Sequence, residues 1–336
     1  MEACHSPQQS NVTSYGTTIL AIISLETFAG VWINAFIVCV LCIGWVKKKT
    51  LNSNEKILLL LGCSRISCLS FSWVHKSLSI IYLNYIIVHT IRQRLASFAN
   101  FFNYSNLWVS ACLCVFYCIK IANFRNSFFN YLKIKIDRMV PWLLLGSGLL
   151  SLAMGIVTHD LYEILQSNNL NFTCPGNYLE AIIRMDKYYF PSFFLAVFGY
   201  AASFMAVIFA AVLLLFSLWR HKCKMQTNSM KDLSVEAHIR AMKSILSFLV
   251  MYSINFVCLV LIVFYTRTND NIVKVLTYIY LYAFPGVHSL ILIFNNPKLE
   301  KALLQILSCV KYEYSRSRNA DKSWSPYNLL VYHCRK

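Results

Sequence analysis

Charge is scarce in this sequence, and negative charge is scarcest. Only 13% of the 336 residues are charged, and 14 Asp and Glu stand against 31 Lys and Arg. A soluble domain could not cover its surface with so few charges. Catalytic signatures are missing too: there is no HExxH pair, P-loop, nucleophile elbow or paired-carboxylate arrangement. His221 and His238 lie in a basic stretch, and His75 and His89 are separated by a turn, so no constellation points to an enzyme. Residues 1–17 are polar and lack a basic region before an apolar one. No cleavable signal is therefore expected, and the first apolar run is expected to act as a signal anchor.

What the chain has in abundance is apolar length. Hydrophobic residues make up 57% and aromatics 15%, with a mean hydropathy of +0.53. A bilayer core needs about 20 apolar residues in a helix. Uncharged runs of that length cover Thr27 to Val46, Leu95 to Ile119, Met139 to Thr158, Tyr188 to Trp219, Ser244 to Thr266 and Val275 to Pro297. The first span starts near Thr18 and tolerates Glu26. A further span runs from about Ile57 to Ile81 and carries Arg65, His75 and Lys76. The expected fold is an all-α membrane protein, a seven-transmembrane helix bundle over 18–296. An N-terminal segment (1–17) precedes it, and a short amphipathic interfacial helix (297–309) and a disordered tail (310–336) follow.

The net charge of +17 could suggest nucleic acid, but its distribution excludes that. Of the 31 Lys and Arg, 23 fall in 47–56, 120–138, 220–243 and 298–336, which are alternate connections between spans. This is the positive-inside pattern, and it assigns the basic C-terminal tail to the cytosol and the N-terminus to the outside. The loop from about His159 to Lys187 is then extracellular and holds Asn171-Phe172-Thr173; a second glycosylation acceptor, Asn11-Val12-Thr13, lies in the N-terminal segment. Both Asn11 and Asn171 are on the side that the modification requires. A third acceptor at Asn103 falls within a span and is expected to stay unmodified.

Thirteen cysteines could suggest a disulfide scaffold or a metal site, yet most sit inside apolar runs and act as small hydrophobes. The Cys112, Cys114, Cys118 cluster lacks His or carboxylate partners, so no zinc site or cofactor is expected. After the seventh span, Leu299, Leu303, Leu304, Ile306 and Leu307 gather largely on one side of a short helix with lysines opposite, a pattern for lying on a lipid surface. Cys309 at its end reads either as a palmitoylation site or as a free thiol.

Charges inside a membrane mark function by default. Glu26 lies roughly 30 Å above the cytosolic end of the first helix and Arg65 roughly 12 Å above the start of the second, too far apart to pair. Asn34, roughly 18 Å up, is the better neighbour. A hydrogen-bond network of Asn34 and Arg65 is expected, the alternative being that Arg65 reaches to the inner headgroups.

Several segments resemble one family. Glu26-x3-Gly30-x3-Asn34 and Leu61-Gly-Cys-Ser-Arg65-Ile are similar to the first and second helices of bitter taste receptors, the type 2 taste receptors. Leu107-Trp108 through Tyr117, Lys120 and Asn123 resembles their third helix. Ser217-Leu-Trp-Arg220-His221 with Ser234-Val-Glu236-Ala-His238-Ile-Arg240-Ala-Met-Lys243 brackets their third cytoplasmic loop, and His288-Ser289 through Asn296-Pro-Lys298 resembles their seventh-helix ending. The resemblance spans about residues 18 to 308.

It implies a G-protein-coupled receptor at the plasma membrane that detects bitter small molecules from outside and activates a heterotrimeric G protein of the gustducin type. It places the ligand pocket between the outer halves of helices two, three, five, six and seven. There His75, Lys76, Ala99, Asn100, Asn103, Tyr252, Asn255 and Tyr278 are the candidate ligand-binding residues. Tyr278 stands where some members have a carboxylate, so an ion pair with cationic alkaloids is not expected there. Ser203 stands where the family commonly has a fifth-helix proline. Asn34, Arg65 and Tyr117 are the candidate activation network. Lys120, Asn123 and Arg125 close the third helix, Arg220, His221 and Lys224 extend the fifth, and His238, Arg240 and Lys243 open the sixth. That basic ring suits the negatively polarised C-terminal end of a helix inserted by a G protein, the alternative being anchorage to anionic membrane lipids. A transporter or channel is the competing class. It would be expected to show internal repeats and more intramembrane acids, and neither is visible.

Overall fold

A computed structural model describes residues 9–81, 86–122, 127–170, 178–227, 232–265 and 271–323, with some side chains inside these ranges left undescribed. The described residues form eight helices: α1 (Gln9–Lys48), α2 (Ser53–Ile81), α3 (Ile86–Ile121), α4 (Ser127–Leu170), α5 (Tyr178–Thr227), α6 (Asp232–Tyr265), α7 (Asn271–Asn295) and α8 (Pro297–Ser323). No strand occurs among the described residues. Among the described residues seven segments are long and apolar enough to cross a membrane: Gly16–Lys48, Ser53–Ile80, Gln93–Ile121, Ser127–Val157, Val197–Arg220, Ile245–Ile262 and Val275–Asn295. Helices suit that solvent because they satisfy every backbone group within the segment.

Local chemistry sets the helix ends. At the end of α1, Lys49 takes a positive φ of 56° and its N–H donates to the Trp45 carbonyl at 2.7 Å, a left-handed stop. At the start of α2, the Glu55 carboxylate accepts from the Asn52 N–H at 3.1 Å, the return half of a capping box. Asn296 caps α8, its Oδ1 accepting from the N–H groups of Lys298 (3.1 Å) and Leu299 (3.4 Å), with Pro297 at the first helical position.

The chain divides into two compact units, Met1–Ile291 and Leu292–Lys336. In the first, α3 packs against α2, α4 and α5, and α1 packs on α2. One core cluster joins Tyr104 and Leu107 of α3, Met154 of α4, Tyr200 and Val207 of α5, Tyr252 and Leu259 of α6, and Phe284 of α7. A second lies toward the end of α3 around Cys118, Ala122, Leu214 and Leu218, and a third joins Ile23 of α1, Leu69 of α2 and Tyr282 of α7. The α1–α7 crossing is tight: a Cβ on Gly286 would stand 3.2 Å from the Gly30 Cα. Small residues permit such backbone approach between membrane helices. The opposite faces carry exposed Trp32, Trp142 and Phe209, as a surface that meets lipid tails requires.

In the second unit, Leu292, Ile293 and Leu299 are buried while Leu304, Ile306, Leu307 and Cys309 are exposed. The sequence reading has a short helix and a disordered tail from 310; here α8 continues to Ser323. The added turns are polar, so helix formation there owes nothing to the apolar stripe that marked the first part.

Candidate functional site

Arg65 is the hub of the bundle. It has no exposed surface, although it carries a full charge within an apolar span. Its Nε–H donates to the Asn106 side-chain oxygen at 3.0 Å and an Nη1–H donates to the Ser289 hydroxyl at 2.6 Å. Nη2 lies 2.5 Å from the Nδ1 of His288. Because the guanidinium is only a donor, that ring nitrogen must accept. Ser289 passes the chain on, its hydroxyl donating to Asn34 Oδ1 at 2.7 Å, while Asn34 Nδ2 donates to the Gly30 carbonyl at 2.8 Å. One side chain thus holds α2 to α3 and α7, and through Ser289 to α1.

The expected pairing of Asn34 with Arg65 therefore runs through Ser289 rather than directly, and Arg65 turns into the bundle, not toward headgroups. His288 also stacks on Phe248 of α6, with ring centroids 4.5 Å apart. Asn106, His288 and Ser289 escaped the reading as partners of Arg65. The available signal was a polar residue on the buried face of an apolar helix. Glu26, the acid within the α1 span, is half-buried, and one of its carboxylate oxygens is buried without a hydrogen-bond partner.

The candidate ligand-binding residues sit nearer the other end of the span from the α2 start. Trp73 Nε1 donates to Ser24 Oγ at 2.8 Å, joining α2 to α1. One turn on, Lys76 Nζ lies 4.1 Å from the centre of the Tyr278 ring, a cation–π contact between α2 and α7. His75 is half-buried on the same helix. On α3, Ala99 is buried and its carbonyl receives the Cys68 thiol at 4.0 Å, whereas Asn100 and Asn103 are half-buried. Asn103 lies beside Tyr200, which stacks on Tyr104 at 5.0 Å.

Tyr252 is a different kind of residue. It is fully buried, donates its hydroxyl to the Leu107 carbonyl at 3.3 Å and is packed by Phe204, Phe248 and Phe284, so it straps α6 to α3. Asn255, one turn further, is also buried. Ser203 is buried, its hydroxyl donating to the Tyr200 carbonyl at 2.8 Å within α5.

At the far end of α3, Tyr117 packs at the edge of the Cys118 cluster. Lys120 pairs with Asp137 of α4, both exposed; the Asp137 carbonyl accepts from the Ser53 hydroxyl at 3.4 Å, and Lys133 Nζ donates to the Ala122 carbonyl at 3.3 Å. Arg220 is exposed at the end of the α5 span. His221 and Lys224 fall on α5, and His238, Arg240 and Lys243 on α6, with their side chains outside the described residues; Asn123 and Arg125 lie outside them altogether. Asn171 also lies outside, and Asn11 falls in the first turn of α1 with its side chain undescribed. Among the described residues ten cysteines are free and no group of His, Cys, Asp and Glu could hold a metal.

A family profile for taste receptor proteins (TAS2R) matches residues 12–311. Taste receptor type 2 member 9 of Papio hamadryas is 31% identical over 304 residues, which cover 87% of this chain and 94% of its own length. Taste receptor type 2 member 8 of Pongo pygmaeus is 31% identical over 299 residues, covering 87% and 96%. Taste receptor type 2 member 9 of Homo sapiens is 30% identical over 309 residues, covering 87% and 94%.

Proposed function

The chain belongs to the taste receptor (TAS2R) family, and we propose that it takes bitter small molecules into the upper bundle around Lys76, Tyr278, Asn100 and Asn103. It is a bitter taste receptor, a seven-helix G-protein-coupled receptor of the membrane with small-molecule ligands, and not an enzyme. In this reading the N-terminus is extracellular, Asn11 and Asn171 carry glycans, and the C-terminus is cytosolic, as the basic asymmetry of the connections supports. His75, Ala99 and Asn255 complete the pocket wall, and Tyr252 supports it from below. Arg65, Asn34 and Tyr117 carry the change downward. The basic residues Lys120, Arg125, Arg220, His221, Lys224, His238, Arg240 and Lys243, with Asn123, receive a G protein of the gustducin type.

The observation that carries this reading is the Lys76–Tyr278 contact, a half-buried cation over an aromatic face at the point where α2 and α7 meet. Exposed cation–π pairs contribute about 0.5–1 kcal/mol and desolvated ones more, so a ligand that inserts its own ring or anion there alters how α2 and α7 are held. The test is calcium release from a bitter-compound library in cells expressing the chain with a promiscuous G protein, followed by Asn103→Ala and Tyr278→Ala. A pocket role shifts potency by different factors for different agonists at equal surface level. If both variants lower expression and every response alike, the residues are packing elements and the pocket lies elsewhere.

A further inference from the structure

Arg65 is a full positive charge with no exposed surface, and all three of its contacts go to neutral groups: the Asn106 amide oxygen, the Ser289 hydroxyl and the His288 ring nitrogen. A guanidinium carries five N–H donors and does not lose its proton in proteins. Three donors are engaged, so two, one on each terminal nitrogen, have no protein acceptor among the described residues. Nor does any carboxylate among the described residues balance the charge. Glu55 lies on the same helix ten residues earlier, roughly 15 Å along it. Glu26 stands eight residues above Asn34 on α1, roughly 12 Å away along the axis. Asp137 is held by Lys120. The other eleven of the 14 Asp and Glu stand outside the seven membrane-length segments. A buried charge left uncompensated in a low-dielectric interior is costly, and a dipole set of one amide, one hydroxyl and one imidazole offsets only part of that cost.

We propose that Arg65 binds a small monovalent anion, chloride, on its two remaining N–H groups, making the hub of α1, α2, α3 and α7 a counter-ion site. A single negative charge matches the single positive one. The guanidinium is ringed by Asn106, Ser289 and His288 and has no exposed surface, and such close surroundings favour a small ion over an organic one. The anion belongs to the resting fold and is distinct from the agonist, so the site stands or falls independently of the ligand pocket.

The purified receptor in nanodiscs is melted in potassium chloride and in potassium gluconate at equal ionic strength. Chloride is expected to raise the melting temperature saturably by about 3 °C, with bromide substituting for it and gluconate failing to. Asn106→Asp sets a carboxylate where the amide oxygen now meets Nε at 3.0 Å and supplies the counter-charge from the chain itself. That variant is expected to melt at the same temperature in chloride and gluconate. Coincident wild-type melts in the two salts overturn the site, as does an equal rise in both, which is a general salt effect. A full chloride shift retained by Asn106→Asp overturns it as well. Should Asn106→Asp not express, the wild-type series of chloride, bromide and gluconate decides alone.

Discussion

Arg65 and Lys120 are both basic side chains on helices that pack together, and they sit in opposite physical regimes. Arg65 is fully buried, touches three helices besides its own through a chain of neutral groups, and has no carboxylate partner among the described residues. Lys120 is exposed, and its partner Asp137 is a full opposite charge. Coulomb attraction at the surface is screened by water, so the formally better pair contributes less. In the interior the unsatisfied alternative is what makes neutral hydrogen bonds matter, since each broken one leaves a dry polar atom. The depth of a charge, more than the sign of its partner, sets what its loss costs.

The largest effect is therefore expected from Arg65→Leu. It leaves the Asn106 oxygen and the His288 ring nitrogen as buried acceptors without their donor, each at a cost of about 1–3 kcal/mol, and unties the Ser289 hydroxyl from α2. That is enough to deplete the folded receptor. Antibody staining of an N-terminal tag on intact cells is expected to fall to near background, while Lys120→Ala stains like the wild type. Equal staining of the two variants would erase the distinction between them.

A smaller effect is expected one level up, where α1 and α7 meet without any charge. Gly286→Val adds a Cβ 3.2 Å from the Gly30 Cα, and the helix backbone there cannot swing aside as a flexible side chain would. The overpacking cost is about 1–3 kcal/mol. The melting temperature of the purified receptor should drop measurably, but by less than in any Arg65 variant that can be purified. Because Ser289 lies one turn along α7 from Gly286, the variant also loads the link from Ser289 to Asn34. A larger loss than that from Arg65→Leu would mean that helix approach, not the polar hub, dominates the α1–α7 contact.

The sequence displays some of these features openly and hides others. Apolar runs of about 20 residues delimit the spans, since membrane solvent leaves the chain no other way to satisfy its backbone. The depth of Arg65 follows from counting residues along α2. Its partners do not, because Asn106 and Ser289 are 41 and 224 residues away in the chain and meet it only when four helices close. The family resemblance marked His288 and Ser289 as a pair without saying what they face. Lys120 reads in the sequence as a free member of a basic ring. Asp137 is 17 residues further on, across the connection from α3 to α4, and its return to the same level depends on how that connection turns. The length of α8 is hidden for a different reason: past Cys309 the chain has little apolar pattern, and composition alone resembles a solvated tail.

The smallest effect concerns Lys120, and it separates two roles that the ion pair confounds. As a surface pair, Lys120 and Asp137 contribute about 0.2–1 kcal/mol, so neither Lys120→Ala nor Asp137→Asn should alter surface level. If Lys120 also meets the helix end of a G protein, the two variants part company in signalling. Lys120→Ala removes the cation that would face free carbonyls, whereas Asp137→Asn releases the same cation from its partner and leaves it available. Nucleotide exchange on a purified G protein, at matched receptor, is therefore expected to fall for Lys120→Ala and to hold or rise for Asp137→Asn. A parallel fall in both would instead show that the pair itself fixes the α3 end against α4, with Ser53 on the Asp137 carbonyl and Lys133 on the Ala122 carbonyl as the remaining ties. Lys120 would then be a structural surface charge, and its contrast with Arg65 would be one of magnitude alone.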